Sequence, residues 1–129
     1  MNKIYNPQDI APTTGTYSHA VEVPPNSRLL YLCGEVPIRP DGTVPADFDE
    51  QADMVWHNLK RVLAAAEMDI NDVVKMTAYI VDPAHRDAYR EARNRNLGKA
   101  RPTSTLLVVA RLGRPEWLVE IDAVAAKPA

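Results

Sequence analysis

Two carboxylates, Glu120 and Asp122, are the side chains of this sequence whose types and spacing best suit proton chemistry. They lie in the alternating segment 117–125, which predicts a strand, so side chains two residues apart project from one face. Carboxylates that share a partly buried face repel each other, and one pKa rises until that group can exchange protons near neutral pH. The alternative is that each carboxylate pairs with an arginine across a subunit boundary, and the spacing favours neither hypothesis.

The other reactive side chains have simpler explanations. His19, His57 and His85 lie far apart and form no metal-ligand motif, so we predict no metal site. The sequence has neither a Gly-x-Gly-x-x-Gly loop nor a Walker motif, so we predict no nucleotide and no other cofactor. Cys33 is the single cysteine and ends an apolar segment, which favours a buried, unreactive thiol.

The net charge of -2 argues against a protein whose main role is to coat nucleic acid or an anionic membrane. A basic cluster does occur on a predicted second helix, where Arg86, Arg90 and Arg93 share one face. Asp87 and Glu91 interrupt its charge, and few aromatic side chains are present to stack on bases. We therefore predict a solvated face rather than an RNA site.

The chain has the length of a single domain, residues 1–129. The predicted order is a hairpin, a helix, a strand, a second helix and a final hairpin. The segments are, in turn, 17–23 with 29–33, then 47–68, 73–81 and 83–98, then 106–110 with 117–125. This order predicts an α+β domain in which one sheet carries two helices on one face. No apolar run could cross a bilayer and residues 1–7 lack a secretory h-region, so we expect a cytoplasmic protein.

Apolar periodicity predicts how these elements pack. Asp47, three residues before Glu50, is expected to cap the first helix. The core residues expected on that helix are Ala52, Val55, Leu59, Val62 and Ala66. Those expected beneath the helices on strand 73–81 are Val74, Met76, Ala78 and Ile80. Segment 106–110 is apolar on both faces, which favours a central strand.

The opposite face of the sheet is predicted to carry Thr77, Tyr79, Leu118 and Val124 beside charged residues. That surface is too apolar to remain fully in water, so we expect a homo-oligomer that covers it. Trp117 falls on the apolar face of its strand, which favours packing in the core.

Short motifs along nearly the whole chain resemble those of the RidA family of enamine and imine deaminases. The motifs are Gly15-Thr16-Tyr17-Ser18-His19-Ala20, Cys33-Gly34-Glu35-Val36-Pro37, Asp72-Val73-Val74-Lys75, Arg101-Pro102, Val109-Ala110-Arg111-Leu112 and Val119-Glu120-Ile121-Asp122-Ala123. No single motif is specific for the family, but the order and spacing of all the motifs together are specific. The resemblance implies a chorismate-mutase-like fold with one mixed six-stranded sheet, and a homotrimer with small-molecule clefts between its subunits.

In active RidA deaminases, an arginine two residues after the proline of the C-terminal signature holds the substrate carboxylate, and the products are ammonia and a 2-oxo acid. Here that position is Ser104, which cannot supply the charge. A charge-assisted contact contributes about 1.5–3 kcal/mol, so its loss is expected to weaken the binding of small 2-imino acids about tenfold or more. The usual 2-aminoacrylate deaminase activity is therefore in doubt.

Other cleft positions of the family are retained. Tyr17, Gly34 and Glu120 fall at such positions, and Glu35 replaces the usual glutamine. The resemblance implies a metal-independent hydrolase or deaminase of C=N bonds in which Glu120 and Tyr17 are catalytic, with Glu120 positioning water or moving a proton. The residues expected to contact the substrate are Gly34, Glu35, Ser104 and Thr105.

Three functions stay open from the sequence. The first is binding, with hydrolysis or tautomerisation, of an imine, enamine or related carbonyl compound that lacks a simple carboxylate. The second is a non-catalytic ligand-binding or regulatory trimer, and the third is an RNA-binding or endoribonuclease-like protein. Arg111 of the signature is expected to form a structural ion pair with Glu120 or Asp122.

Overall fold

The computed structural model describes residues 2–129, which form six β-strands and two α-helices. Their bounds are β1 Lys3–Tyr5, β2 Ala20–Glu22, β3 Ser27–Glu35, α1 Phe48–Ala65, β4 Val73–Ile80, α2 Arg86–Leu97, β5 Thr103–Val108 and β6 Val119–Pro128. Short 3-10 turns, Ile70–Asp72 and Pro83–His85, precede β4 and α2. Gly98 ends α2 with a φ of 54°, as its position in the sequence predicts.

The strands form two sheets rather than one. A four-stranded mixed sheet has the order β3-β6-β4-β5, and β1 pairs with β2 in a separate two-stranded sheet. The α+β class, with two helices on one face of the larger sheet, is confirmed, whereas the single six-stranded sheet is wrong. The predicted first hairpin is also wrong, because β2 finds its backbone partner in β1 and not in β3.

The predicted final hairpin is wrong for a similar reason. β5 runs parallel to β4, from Thr103 opposite Lys75 to Val108 opposite Ile80, and α2 makes the crossover that parallel strands need. β6 pairs antiparallel with both β3 and β4 and takes the central position instead. Consequently β5 is an edge strand of this sheet, and its Leu107 and Val108 are exposed.

The core lies between the two helices and the inner face of the four-stranded sheet. α1 begins after Asp47, whose side chain accepts a hydrogen bond from the Glu50 amide at 2.8 Å, as predicted. Its buried stripe differs from the prediction, because α2 packs beside α1 and shields a second side of the helix. Leu63 and Trp56 are therefore buried, whereas Val62 is 37% exposed.

A β-bulge in β4, between Val73 and Lys75, reverses one expected orientation. Val73 enters the core, and Val74 turns to the side away from the helices, contrary to the prediction. We call that side the open face; it carries Thr77 and Tyr79 of β4 and Glu120 and Asp122 of β6. The residues that line an apolar groove on this face include Leu29, Tyr31, Val74 and Val124.

The open face stays apolar enough to favour a protein contact. Leu29 and Tyr31 are 51% and 73% exposed, and such clustered apolar surface is typical of interfaces. Leu118, which was expected on this face, precedes β6 and packs against the core instead. Neither α-helix in the described part of the chain has the length and apolar character that crossing a membrane requires.

Candidate functional site

Glu120 and Gly34 form the centre of an acidic region on the open face. Glu120 lies opposite Tyr79 in the sheet, and Gly34 lies in a bulge that adds one residue to β3 between Leu32 and Glu35. A β-carbon at position 34 would overlap the Oε2 atom of Glu120, so the carboxylate rests directly on the glycine backbone. Glycine is needed here for close approach and not for a left-handed backbone, because the φ of Gly34 is not positive.

The electrostatics of this region single out one of the two carboxylates. Partial burial raises the pKa of Glu120, and the negative charges of Asp122 and Glu35 raise it further. Asp122 accepts a hydrogen bond from the Tyr79 hydroxyl at 2.8 Å, and this bond raises the pKa of Tyr79. Glu120 is therefore the acid better suited to exchange protons. The Tyr79 hydroxyl orients the other carboxylate, Asp122.

Cys33 lies on the open face beside this acid, and the prediction of a buried thiol is wrong. The alternation of β3 buries Leu32 and leaves Cys33 exposed. The thiol donates a hydrogen bond to the Glu35 carboxylate at 3.2 Å, and this bond, with the charge of Glu35, raises the pKa of Cys33. The thiol therefore stays protonated and weakly nucleophilic near neutral pH.

Two polar side chains of α1 hold both strands of the acidic region in place. Gln51 is buried; its Nε2 donates to two backbone carbonyls at 2.8 and 2.9 Å, and its Oε1 accepts from the Leu118 amide at 2.8 Å. Asn58 donates to the carbonyls of Val36 and Ile38, both at 3.1 Å. Gln51 thus positions the chain that enters β6, and Asn58 the chain that leaves β3. Sequence reasoning missed both, because nothing local shows which backbone groups a helix amide will meet.

Two further predicted site residues, Tyr17 and Ser104, lie on the helix side of the sheet. Tyr17 belongs to a loop tied to the start of β5, because the Ser18 amide and hydroxyl donate to backbone carbonyls there at 2.9 and 2.6 Å. Ser104 lies opposite the buried Met76 in the sheet, so its side chain faces α2. Thr105, the next residue, faces the other way.

The predicted site residues therefore do not meet within one chain. The open-face group comprises Gly34, Glu35, Thr105 and Glu120. The helix-side group comprises Tyr17 and Ser104. The four-stranded sheet separates the two groups, so any single site that uses both requires a second copy of the chain.

Arg93 adjoins the helix-side group, and its burial contradicts the predicted solvated face. It is only 7% exposed, its Nη2 donates to the Thr16 hydroxyl at 2.7 Å, and its guanidinium carbon lies 5.7 Å from the Tyr17 ring centroid. Burial lowers the pKa of Arg93, and burial raises the pKa of the neighbouring Tyr89 to about 12. A sequence signal existed, because Arg93 lies midway between the buried Tyr89 and Leu97 at helical spacing.

Arg111 forms no ion pair with Glu120 or Asp122 within residues 2–129, so the expected pairing does not occur inside one chain. It lines a pocket of about 370 Å³ together with Arg114 and Trp117. Trp117 precedes β6 and is half-buried there, contrary to its predicted place in the core. No three His, Cys, Asp or Glu side chains of the described residues are grouped closely enough to hold a metal ion.

The family model described as Endoribonuclease L-PSP matches residues 8–127. The chain belongs to the Endoribonuclease L-PSP family. The match includes every motif that suggested RidA, and the names of the L-PSP relatives confirm that resemblance.

These L-PSP family relatives align over most of the chain. A RutC family protein of Pyrococcus abyssi is 32% identical over 115 residues, 88% of this chain and 87% of that protein. TdcF of Escherichia coli, whose name assigns it provisionally to the reactive intermediate deaminases, is 29% identical over 100% of both. The crystal structure of TdcF with bound serine has a TM-score of 0.73 over 97% of this chain and 98% of that one. A Rid-family protein of Yersinia pestis, itself of unknown function, has a TM-score of 0.87 and 30% identity over 98% of both.

Proposed function

We propose that this L-PSP family member is a homotrimer that binds a small imine, enamine or related carbonyl compound between its subunits, and hydrolyses or tautomerises it. The observation that carries the proposal is the division of the site residues between the two sides of one sheet. A site that uses both groups needs two copies of the chain, and the exposed Leu29 and Tyr31 provide apolar contact surface beside the open-face group.

Glu120 is the proposed proton carrier. Its ionised form accepts a proton from the water that adds to the carbon of a C=N bond, and its protonated form returns that proton to the nitrogen. The product of this addition is a carbinolamine, and Glu120 next carries its hydroxyl proton to the nitrogen. The C–N bond breaks as the carbonyl forms, and ammonia leaves. Tautomerisation uses the same group, which removes a proton from carbon and returns it elsewhere on the conjugated system. The raised pKa of Glu120 supports both steps, because the two protonation states are then closer in free energy near neutral pH.

The remaining site residues bind and orient the ligand in this proposal. Gly34 gives the Glu120 carboxylate its place, and Glu35 adds a second acid beside it. Tyr17 and Ser104 contribute hydroxyl groups from the neighbouring subunit, and Thr105 contributes one from the open face. The chemistry requires neither a metal nor an organic cofactor, since water, one acid and oriented hydroxyls suffice.

Ammonia release tests the catalytic half of the proposal. Purified protein and the Glu120→Ala variant are assayed on a panel of imines generated in situ from different amines. The wild type is expected to release ammonia faster than the buffer background, and Glu120→Ala to lose about a hundredfold or more of that rate, as general acid–base groups do. Absence of turnover in the wild type on every imine would leave only ligand binding.

Mixing two inactive variants tests the division of the site between subunits. Glu120→Ala and Tyr17→Phe are unfolded together, mixed in equal amounts and refolded, while light scattering reports the mass of the assembly. Random trimers are expected to regain about a quarter of the wild-type rate, because each cleft needs one intact group from each of two neighbours. No recovery in trimers of the correct mass would place both residues in one subunit's site.

Two alternatives have their own signatures. A non-catalytic binding trimer would retain a small molecule in native mass spectrometry and show no turnover. The family description favours an endoribonuclease-like function as the second candidate, and the exposed Arg86 and Arg90 of α2 would then contact RNA. Binding would weaken steeply with salt, and unchanged RNA affinity in an Arg86→Gln/Arg90→Gln variant would remove this candidate.

A further inference from the structure

Arg93 is a buried cation without a counter-ion among residues 2–129. None of the salt bridges of that part of the chain includes it, and the formally charged side chain that acts on its pKa is Arg90, a second cation. A buried charge is costly unless it is paired. The positive potential around Arg93 therefore favours a negatively charged ligand at this place.

The guanidinium of Arg93 also has a free donor edge. Its Nε and Nη2 donate to the Asn94 side-chain oxygen at 3.3 Å, and Nη2 donates to Thr16 at 2.7 Å. Nη1 donates to no atom of the described residues, yet it is not among the fully buried atoms that lack a partner, so solvent reaches it. The hydrogen bonds of Nε and Nη2 fix the orientation of the guanidinium. Nη1 is available to an acceptor from outside the chain.

Side chains with hydroxyl groups lie near this guanidinium. The Tyr17 ring lies beside it, and Tyr89 adjoins both Arg93 and Ser104. The Tyr89 hydroxyl is buried beside Ser104 but falls short of hydrogen-bond geometry with it, so it has no partner among residues 2–129. An unpaired buried donor next to an unpaired cation is the arrangement that a carboxylate satisfies, since its two oxygens accept several hydrogen bonds.

The serine at position 104 fits this arrangement. Ser104 and Arg93 both adjoin Tyr89, from β5 and α2 respectively, and two arginines at these positions would repel each other without a ligand. A small residue at 104 leaves room in front of the Arg93 guanidinium. A serine on the strand is therefore compatible with a buried arginine on the helix.

We propose that Arg93 binds the carboxylate of the ligand, so that this chain takes small 2-imino and 2-oxo acids through a helix arginine where the RidA resemblance implies a strand arginine. This inference rests on the proposed inter-subunit cleft and replaces the expectation of a ligand without a simple carboxylate. Tyr17 and Ser104 supply hydroxyl contacts to the same carboxylate. Glu120 of the neighbouring copy then faces the adjacent carbon.

Calorimetric titration of the protein with pyruvate tests the binding itself. Arg93→Gln is expected to raise the Kd for pyruvate about tenfold or more, because a charge-assisted contact to the carboxylate is lost. The matched control is Arg95→Gln, on the same helix; Arg95 is exposed and 3.3 Å from Asp53, so about twofold or less is expected. Adding Ser104→Arg to Arg93→Gln should recover most of the affinity, since both positions adjoin Tyr89.

A comparison of two substrates separates this inference from the catalytic proposal. The 2-imino acid derived from alanine is compared with the imine of the corresponding amide, which lacks the negative charge. Arg93→Gln is expected to lower kcat/KM for the acid about tenfold and to leave that for the amide nearly unchanged. If wild type binds pyruvate through Arg93 but hydrolyses no imine, the catalytic proposal fails and the inference stands.

The inference is overturned by either of two results. One is no pyruvate binding by the wild type, or equal affinity in the wild type and Arg93→Gln. The other is an equal loss of activity on the acid and on the amide. Circular dichroism and light scattering check that each variant folds and assembles. If Arg93→Gln does not fold, Arg93→Lys keeps the charge without the guanidinium, and an unchanged pyruvate Kd in that variant overturns the guanidinium contact.

Discussion

The Glu120 carboxylate rests on the backbone of Gly34, where the bulge of β3 meets the central strand β6. Because position 34 has no side chain, the carboxylate of Glu120 has room to lie there. The contact joins two motifs that are far apart in the sequence, and the amides of Gln51 and Asn58 on α1 hold the segments that flank it. The reactivity of Glu120 therefore depends on the geometry of two strands and a helix.

Gly34→Ala is expected to remove activity while leaving the fold intact. The added β-carbon would overlap Oε2 of Glu120, but that atom ends a flexible side chain and can move aside, and the backbone angles of Gly34 suit alanine. Thermal unfolding should show a loss of about 1 kcal/mol or less, and ammonia release should fall toward that of Glu120→Ala. If the effect acts through the carboxylate, Gly34→Ala costs nothing further in a Glu120→Ala background.

Asp122→Asn is expected to move the acid limb of the kcat/KM profile to lower pH. Among the neighbouring charges, Asp122 raises the pKa of Glu120 most. Neutralising Asp122 therefore lowers the pKa of Glu120, which then ionises at lower pH. Asparagine keeps an oxygen that accepts the Tyr79 hydrogen bond. Glu35→Gln should shift the limb in the same direction by less. An acid limb that stays in place or moves to higher pH would exclude Glu120 as the base.

Glu120→Gln is expected to raise the unfolding temperature near pH 8 and not near pH 4. The pKa of Glu120 is raised in the folded chain, so folding favours the protonated form. The resulting destabilisation appears as pH rises through the ordinary glutamate value of about 4.3, and it is complete above the raised folded pKa. A neutral glutamine avoids this destabilisation. Such a gain in stability on substitution is typical of functional sites. Calorimetry at both pH values provides the measurement, and equal shifts at the two would contradict the assignment.

Gln51→Leu is expected to destabilise the protein by about 2–4 kcal/mol, because it leaves two carbonyls and the Leu118 amide without their partners. Urea unfolding gives the free energy. Activity should fall more than the loss of folded protein explains, since the chain entering β6 is released. Asp53→Ala serves as the control: it removes an exposed ion pair to Arg95 of 3.3 Å and is expected to cost about 1 kcal/mol or less.

Leu63→Ala and Val62→Ala form a matched pair that tests the rotated core stripe of α1. Leu63 is fully buried and its truncation should cost about 2–5 kcal/mol, whereas Val62 is exposed and its truncation should cost about 0.5 kcal/mol or less. Equal losses of unfolding free energy would mean that Val62 lies in the core, as the sequence predicts, or that a subunit contact buries it. Measurement of the unfolding free energy together with the assembly mass distinguishes these two explanations.

Local patterns predicted the elements whose signals lie within a few residues. Asp47 caps α1 and Gly98 ends α2, because each needs only its neighbours to satisfy the helix ends. The alternation of segment 117–125 correctly placed Glu120 and Asp122 on one face of β6, opposite the buried Ile121. The C-terminal motifs led to the RidA family, because they preserve order and spacing over the whole chain.

Partners that lie far apart in the sequence could not be predicted in this way. β2 pairs with β1, and β5 pairs with β4, because backbone hydrogen bonds carry no side-chain label and the nearest strand in sequence is only the default partner. The bulges left no local signal either, and one extra residue was enough to turn Val74 to the open face.

The candidate site shows the same division between sequence and tertiary structure. By itself the sequence determined the chemistry available: a carboxylate at Glu120, a serine at 104 in place of arginine, and an arginine at 93. Only the tertiary structure decided that Glu120 rests on Gly34, that Arg93 is buried beside Tyr17, and that the sheet separates these two groups. The physical reason is that burial, charge interactions and close approach depend on distances across the fold, whereas a linear chain specifies only the order of its side chains.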